Sequence, residues 1–333
     1  MSRKKDLLNF RTKHSGGSIK VIILTLVFLA NIEFLLATGR HVKAFGTIEL
    51  NRVQEKIKSL LPDLKQTVVS IETIDGAGSG VIASADGIVL SAAHVIGESG
   101  KKMDISLFDG RKLEAISKGG SQLSDAGMLQ IIGVNNLPFA QISKPNDISH
   151  SGWCFALGHP SGFDPERGMV LRVGRVLRAD EETIQTNCKL LGSDSGGPLF
   201  DLNGKVIGIH SRISQSPDQN YHTSIKSFLS NWDYFLKENI LSLESLKGSG
   251  YLGLACTSKE DGLEVLDVFP GSAAATAGIL PGDQLLRMDS IQLDSREKLT
   301  ILISQRLPGD VVTIDFKRQD REVAVRLLLG SRE

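Results

Sequence analysis

At 333 residues the chain is too long for one small domain and suits two or three, and its 41% apolar content is enough to give each a core. Lys plus Arg equals Asp plus Glu at 38 each, so no net field draws the chain to nucleic acid, and no basic stripe with interleaved aromatics appears. The 34 glycines and the 5% aromatic content suit a turn-rich β protein, while the absence of Cys-x-x-Cys or His-Glu-x-x-His spacing argues against a structural or catalytic metal; no cofactor is expected.

The first 45 residues differ from the rest. Arg3, Lys4, Lys5, Arg11, Lys13 and Lys20 precede the apolar run from Val21 to Ala30, and apolar character continues to Ala37. A spanning helix needs about 20 residues, which residues 21–38 barely supply. The basic flank predicts that this end stays in the cytoplasm and that the remainder is exported. The small residues of Ala37-Thr38-Gly39 also suit signal-peptide cleavage, so residues 1–45 read as a membrane anchor first and a cleaved signal second.

Residues 47–64 carry Ile48, Val53, Ile57, Leu60 and Leu61 at helical spacing, with Pro62 as the stop. Val68–Thr73 reads as a strand. Val81–Ala83 and Ile88–Leu90 flank Asp86-Gly87, a hairpin whose second strand runs into His94. Short strands follow at Met103–Phe108, Gly127–Ile132, Trp153–Leu157, Met169–Leu177, Thr183–Thr186 and Lys205–Ile209, a pattern of barrels or sandwiches. A helix over Ser227–Phe235 closes a first domain of residues 46–240. Residues 241–250 read as a Ser, Lys and Gly-rich linker, and 251–330 as a small module of about five strands and two short helices. Cys154, Cys188 and Cys256 read as small core residues, with Cys154–Cys188 the only pair eligible for a disulfide.

Three motifs carry the chemistry. Ser91-Ala92-Ala93-His94-Val95, Ser124-Asp125-Ala126-Gly127 and Gly192-Ser193-Asp194-Ser195-Gly196-Gly197-Pro198-Leu199 supply a base, a carboxylate and a nucleophile in the order His, Asp, Ser. A serine hydroxyl needs a base to take its proton during attack, and imidazole is near half-protonated at neutral pH. Asp125 would hold the useful tautomer of His94. The backbone amides of Ser193 and Ser195, with Asp194 between them, can point at a developing oxyanion.

With Gly78-Ser79-Gly80-Val81-Ile82 added to these motifs, and with Tyr251-Leu252-Gly253-Leu254 and Ala277-Gly278-Ile279-Leu280-Pro281-Gly282-Asp283 in the tail, residues 46–330 resemble the HtrA (Deg) family of trypsin-like serine proteases. The resemblance implies a mainly β chain, a chymotrypsin-like double β-barrel followed by an α+β PDZ domain. It also implies ATP-independent endoproteolysis of misfolded or signal-bearing proteins in the periplasm, by a homo-trimer. It assigns His94, Asp125 and Ser195 as the triad, His210-Ser211-Arg212 as the strand that pairs with substrate, and Tyr251–Leu254 as the loop that receives a peptide's terminal carboxylate. Three features depart from the family pattern. Ser193 stands where Gly is usual and can restrict the peptide flip that builds the oxyanion hole. Asp194 stands where Asn is usual and needs a cation, for which Arg167 or Lys189 is the expected source. Tyr221–Lys226 replaces the segment that walls the specificity pocket. The competing readings are a weakly active homologue serving as a PDZ-based chaperone or scaffold, and a disulfide-poor secreted digestive-type trypsin.

Overall fold

A computed structural model describes residues 46–331, apart from 74–75, 145–146, 149–150, 214–215, 217–218 and 260. The expected anchor over residues 21–38 lies outside the described residues. Among those described, no helix is long and apolar enough to cross a membrane. Residues 46–64 are helical (α1). Two compact units divide the chain at Lys56–Ile57, and every named strand lies in the second.

Short apolar strands punctuated by turns, most of them buried along nearly their whole length, fold residues 68–131 into a first barrel. Its strands are β1 (Val68–Thr73), β2 (Gly76–Ile82), β3 (Ile88–Ala92), β4 (Lys102–Ser106), β5 (Lys112–Ser121) and β6 (Ala126–Ile131). The sheet runs β5-β4-β1-β2-β3-β6 and closes where β5 pairs with β6. The Asp86-Gly87 hairpin forms, pairing Val81 with Leu90. Val69, Ile71, Ile82, Val89, Ile105, Leu129 and Ile131 fill the interior. The one-turn helix α2 (Ala93–Ile96) carries His94 off the end of β3.

The second barrel closes in the order β10-β11-β12-β9-β8-β7. These strands are β7 (Trp153–Gly158), β8 (Val170–Ala179), β9 (Thr183–Thr186), β10 (Pro198–Asp201), β11 (Val206–Ile213) and β12 (Asn220–Ser224). The expected helix over Ser227–Phe235 is two, α3 (Ile225–Ser230) and α4 (Trp232–Leu236). They break at Asn231, whose amide donates to Ser227 O instead of leaving that carbonyl to the helix.

Residues 240–251 are tied down at several points. β13 (Ile240–Leu241) pairs in parallel with β5, and Leu246 is buried beside Leu241 and Ile301. β14 (Gly250–Tyr251) pairs with the last strand, β21 (Gly330–Ser331). Between them lie β15 (Leu254–Lys259), β16 (Gly262–Val268), α5 (Ala273–Thr276), β17 (Gln284–Met288), β18 (Ile291–Gln292), α6 (Arg296–Ser304), β19 (Val311–Arg318) and β20 (Arg321–Leu328). Ser272 and Ser295 cap α5 and α6 through their side chains. Leu263, Val265, Leu285, Leu293, Ile314 and Phe316 form this domain's own core.

Candidate active site

β3 runs from the hairpin into α2 and so delivers His94 at the rim of the first barrel, while the turn between β5 and β6 delivers Asp125. His94 Nδ1 lies 2.9 and 3.0 Å from the two Asp125 carboxylate oxygens, and its backbone N–H donates to Oδ1 at 3.1 Å. Ser211 Oγ, from β11 of the second barrel, donates to Asp125 Oδ2 at 2.6 Å. Thr223 of β12 donates to Ser124 O at 2.6 Å. Asp125 itself sits at φ 60°, a left-handed conformation that these contacts from both barrels hold in place.

The electrostatics follow from those contacts. The hydrogen bond to Asp125 raises the His94 pKa above 6.5, against the opposing effect of burial. Burial alone would push the Asp125 carboxyl up, but the hydrogen bonds from His94 and Ser211 outweigh it and hold the group below the usual carboxylate range. An imidazole whose Nδ1–H faces an ionised carboxylate leaves Nε2 as its basic atom.

Ser195 is carried on the loop between β9 and β10, and the first barrel holds that loop by one residue. Ser79 of β2 donates its N–H to Ser195 O at 2.8 Å and its hydroxyl to Ser193 O at 3.0 Å. The same hydroxyl accepts from His159 N at 2.9 Å. Gly196, at φ +87°, lies so close to β2 and β3 that a Cβ would stand 2.1 Å from Ser79 O and Ser91 Oγ. No hydrogen bond joins Ser195 Oγ to the His94 imidazole among the described residues; such bonds commonly tighten only when substrate is bound.

Ser193 adopts φ 68°, so the side chain expected to hinder the oxyanion loop is accommodated in the left-handed region, with its carbonyl taken by Ser79. The backbone amides of Ser193 and Ser195 donate to no protein acceptor among the described residues, whereas Asp194 N donates to Leu191 O at 3.2 Å. Of the three residues expected around the oxyanion, two therefore offer amides and Asp194 does not.

The expected cation for Asp194 is Arg167 or Lys189, and the structure corrects this to Arg172 of β8. Arg172 Nη1 donates to Oδ1 at 3.1 Å and Nη2 lies 2.9 Å from Oδ2, with side-chain exposures of 11% and 1% for the pair. Arg167 instead donates to Gly162 O. Leu191 N–H occupies Asp194 Oδ2 at 2.7 Å. Burial pushes the Asp194 carboxyl up, and these partners oppose it. A buried carboxylate without a cation is costly, and Arg172 supplies that cation from within the fold.

His210 and His222 are both fully buried, their Nδ1 atoms 2.9 Å apart, and His222 Nε2 contacts Thr186 Oγ1 at 2.8 Å. Burial depresses both, His222 to about 3, so both rings are neutral at pH 7 and one donates to the other. His210 holds the Ser195 loop by its backbone, accepting from Gly196 N at 2.7 Å and donating to Gly197 O at 2.8 Å. Of the expected substrate strand His210-Ser211-Arg212, the first two side chains thus face inward, and only Arg212, stacked over Tyr221, faces out.

In the second domain, Tyr251, Leu252, Gly253 and Leu254 line a groove of about 240 Å³ whose far wall is Arg296, Leu299, Thr300 and Ile303 of α6. The first turn of α6 also docks on the barrels, a connection that spacing in the sequence does not signal. Glu297 accepts from Ser124 Oγ and from Asn231 Nδ2, each at 2.8 Å, and Arg296 grips Glu182 through two nitrogens. Burial raises the Glu297 carboxyl. Among the described residues no cluster of His, Cys, Asp or Glu could hold a metal.

Residues 78–209 match the trypsin-like peptidase domain family, and residues 250–329 match the PDZ domain family. A probable periplasmic serine endoprotease DegP-like of Halomonas elongata is 29% identical over 273 residues, 76% of this chain and 56% of that protein. The periplasmic pH-dependent serine endoprotease DegQ of Escherichia coli is 29% identical over 323 residues, 90% of this chain and 69% of that protein. The chain thus spans between about half and two thirds of the length of these curated relatives. Among solved structures, the HtrA-type protease AlgW with tripeptide has a TM-score of 0.56 at 24% identity, covering 82% of this chain and 96% of that one. The serine endoprotease from Yersinia pestis has a TM-score of 0.54 at 22% identity, covering 84% and 98%. These two likenesses concern the fold, a double barrel followed by a PDZ domain.

Proposed function

We propose that this chain, with its trypsin-like peptidase domain followed by one PDZ domain, is an HtrA-type serine endopeptidase working outside the cytoplasm on misfolded or signal-bearing polypeptides. Ser195 is the nucleophile, His94 the general base and Asp125 the carboxylate that orients it. His94 Nε2 takes the hydroxyl proton as Ser195 Oγ attacks the peptide carbonyl. The amides of Ser193 and Ser195 stabilise the oxyanion, and the imidazolium then protonates the leaving amine. Water repeats the sequence on the acyl-enzyme.

The observation that carries this reading is the double anchorage of Asp125: His94 on one side and Ser211 of the opposite barrel on the other, at 2.9 and 2.6 Å. The groove beside Tyr251–Leu254 is proposed to take the carboxy-terminal strand of a polypeptide by β-addition. Anchoring through residues 21–38, extracytoplasmic location and a trimeric assembly belong to the same proposal. The scaffold alternative rests on Ser193, and its left-handed φ of 68° supports the main reading over it. Casein turnover tests the reading. Ser195→Ala is expected to lower it by about 10⁴-fold, and an unchanged rate would refute the assignment.

A further inference from the structure

Cys154 lies in β7, and Cys188 lies in the segment that leads from β9 to the nucleophile loop. Both are fully buried in the core of the second barrel, as free thiols with their sulfurs 3.8 Å apart. Gly174 creates the space for this contact. It faces Cys154 across the β7–β8 pairing, and a Cβ there would stand 2.7 Å from the Cys188 sulfur and 2.8 Å from its backbone nitrogen. A side chain at that position would push the two thiols apart. Cys188 also touches the carbonyl of Arg172 at 4.0 Å, and its N–H donates to Thr186 Oγ1 at 3.2 Å. The pair is therefore packed against the same residue that neutralises Asp194.

We propose that Cys154 and Cys188 form an intrachain disulfide when the chain folds in an oxidising compartment, tethering the segment that leads to Ser195 onto β7. Either thiol can begin the exchange, and the product is the same; in one order Cys188 loses its proton first. Its thiolate attacks one sulfur of a disulfide oxidant, small molecule or protein, and expels a thiolate to leave a mixed disulfide. Cys154, once deprotonated, attacks the Cys188 sulfur; the new S–S bond forms and the second oxidant thiolate leaves. Two electrons pass from the cysteines to the oxidant, which becomes two thiols after taking up the two protons released. Because both sulfurs are fully buried, exchange precedes closure of the barrel or follows its local opening. A cross-link between residues 34 apart restricts the unfolded chain and shifts its folding equilibrium by roughly several hundred-fold.

Thiol counting tests this without any turnover, so its outcome is independent of the proposed activity. The full chain carrying Cys256→Ser is refolded in a buffer rich in oxidised glutathione, acid-quenched, unfolded and treated with maleimide. The expected result is no maleimide and no glutathione on the chain, a mass about 2 Da below the reduced form, and two maleimide additions after phosphine reduction. Introducing Cys154→Ser or Cys188→Ser should each abolish the mass difference. Should Cys256→Ser not fold, the unmodified chain is expected to carry a single maleimide or a single glutathione, on Cys256, before reduction and three maleimides after it. Two maleimide additions without reduction, or two glutathione caps, in the folded Cys256→Ser chain overturn the proposal.

Discussion

The two barrels share a strand count and differ in what they bury. The first is filled by Val69, Ile71, Ile82, Val89, Ile105 and Leu129, and what it presents to the site, His94 and Asp125, hangs from its rim. The second encloses an ion pair, Arg172–Asp194, and a file of Thr186, His222 and His210 alongside its apolar core. The difference tracks the task of each. His94, at the end of a rigid strand, is supported by apolar packing beneath it and needs directional bonds only at its partner Asp125. A nucleophile on a loop that passes through left-handed φ at Ser193 and Gly196 needs directional bonds, since hydrophobic contact does not dictate which way a peptide plane faces.

The sharpest way to break this contrast is to remove the ion pair from the second barrel. Arg172→Met leaves Asp194 buried without its cation, which is expected to cost about 3–5 kcal/mol in stability and to abolish turnover. The double variant with Asp194→Asn should recover much of the loss, because it removes the unpaired charge. Denaturant unfolding of the two variants measures this. A single variant as stable as the parent would mean that the loop does not depend on the pair.

Ser79 is where the first barrel does contribute a directional bond. Ser79→Ala leaves Ser193 O and His159 N without their hydroxyl partner, an expected loss of about 1–3 kcal/mol. Because the oxyanion loop is what relaxes, kcat should fall by about 10–100-fold while thermal stability drops only modestly. A lowered melting point with unchanged kcat would assign Ser79 to the scaffold alone.

The smallest effect at neutral pH is that of His159, which shows only in the pH dependence of stability. His159 is buried, with no hydrogen bond to either ring nitrogen among the described residues, and burial, with repulsion from Arg167 second, depresses it from 6.5 to about 4. Between about 4 and 6.5 the unfolded chain binds a proton that the folded chain refuses. This group therefore costs nothing above about 6.5 and destabilises progressively as pH falls through that window. His159→Phe should lower the proton uptake on unfolding near pH 5 by about one. The slope of unfolding free energy against pH reads this out, and an unchanged slope would contradict it.

His94, Asp125 and Ser195 are legible in the sequence because each sits in a short motif whose neighbours serve the same local geometry. Gly196, for example, permits the close approach to Ser79 and Ser91. Arg172 is not legible. The sequence offers Arg167 and Lys189 as readily as Arg172, but the β7–β8 register sets Arg172 opposite Ala156, which itself pairs with Leu199 just beyond the Ser195 loop. In the sequence Arg172, Arg175 and Arg178 look alike, and only the barrel's closure separates the buried one from the others. The long strand β5 escapes sequence reading because Lys112–Ser121 is polar and ends in glycines, a composition that reads as loop. Glu297 is invisible for a related reason: a charged residue in the first turn of a capped helix looks solvated, and docking of α6 on Ser124 and Asn231 is a tertiary event. The PDZ core is easier, since its apolar runs and Pro281-Gly282-Asp283 turn are local.

Everything rests on the Ser195 hydroxyl being activated by an imidazole that Asp125 orients. A fluorophosphonate probe measures this directly, because it reacts with an activated serine and stops at one covalent adduct. The account predicts a single adduct on Ser195, formed at a rate that falls as pH drops through the raised pKa of His94 and that collapses in His94→Ala. A folded protein that takes up no probe, or one labelled equally fast without His94, would contradict it.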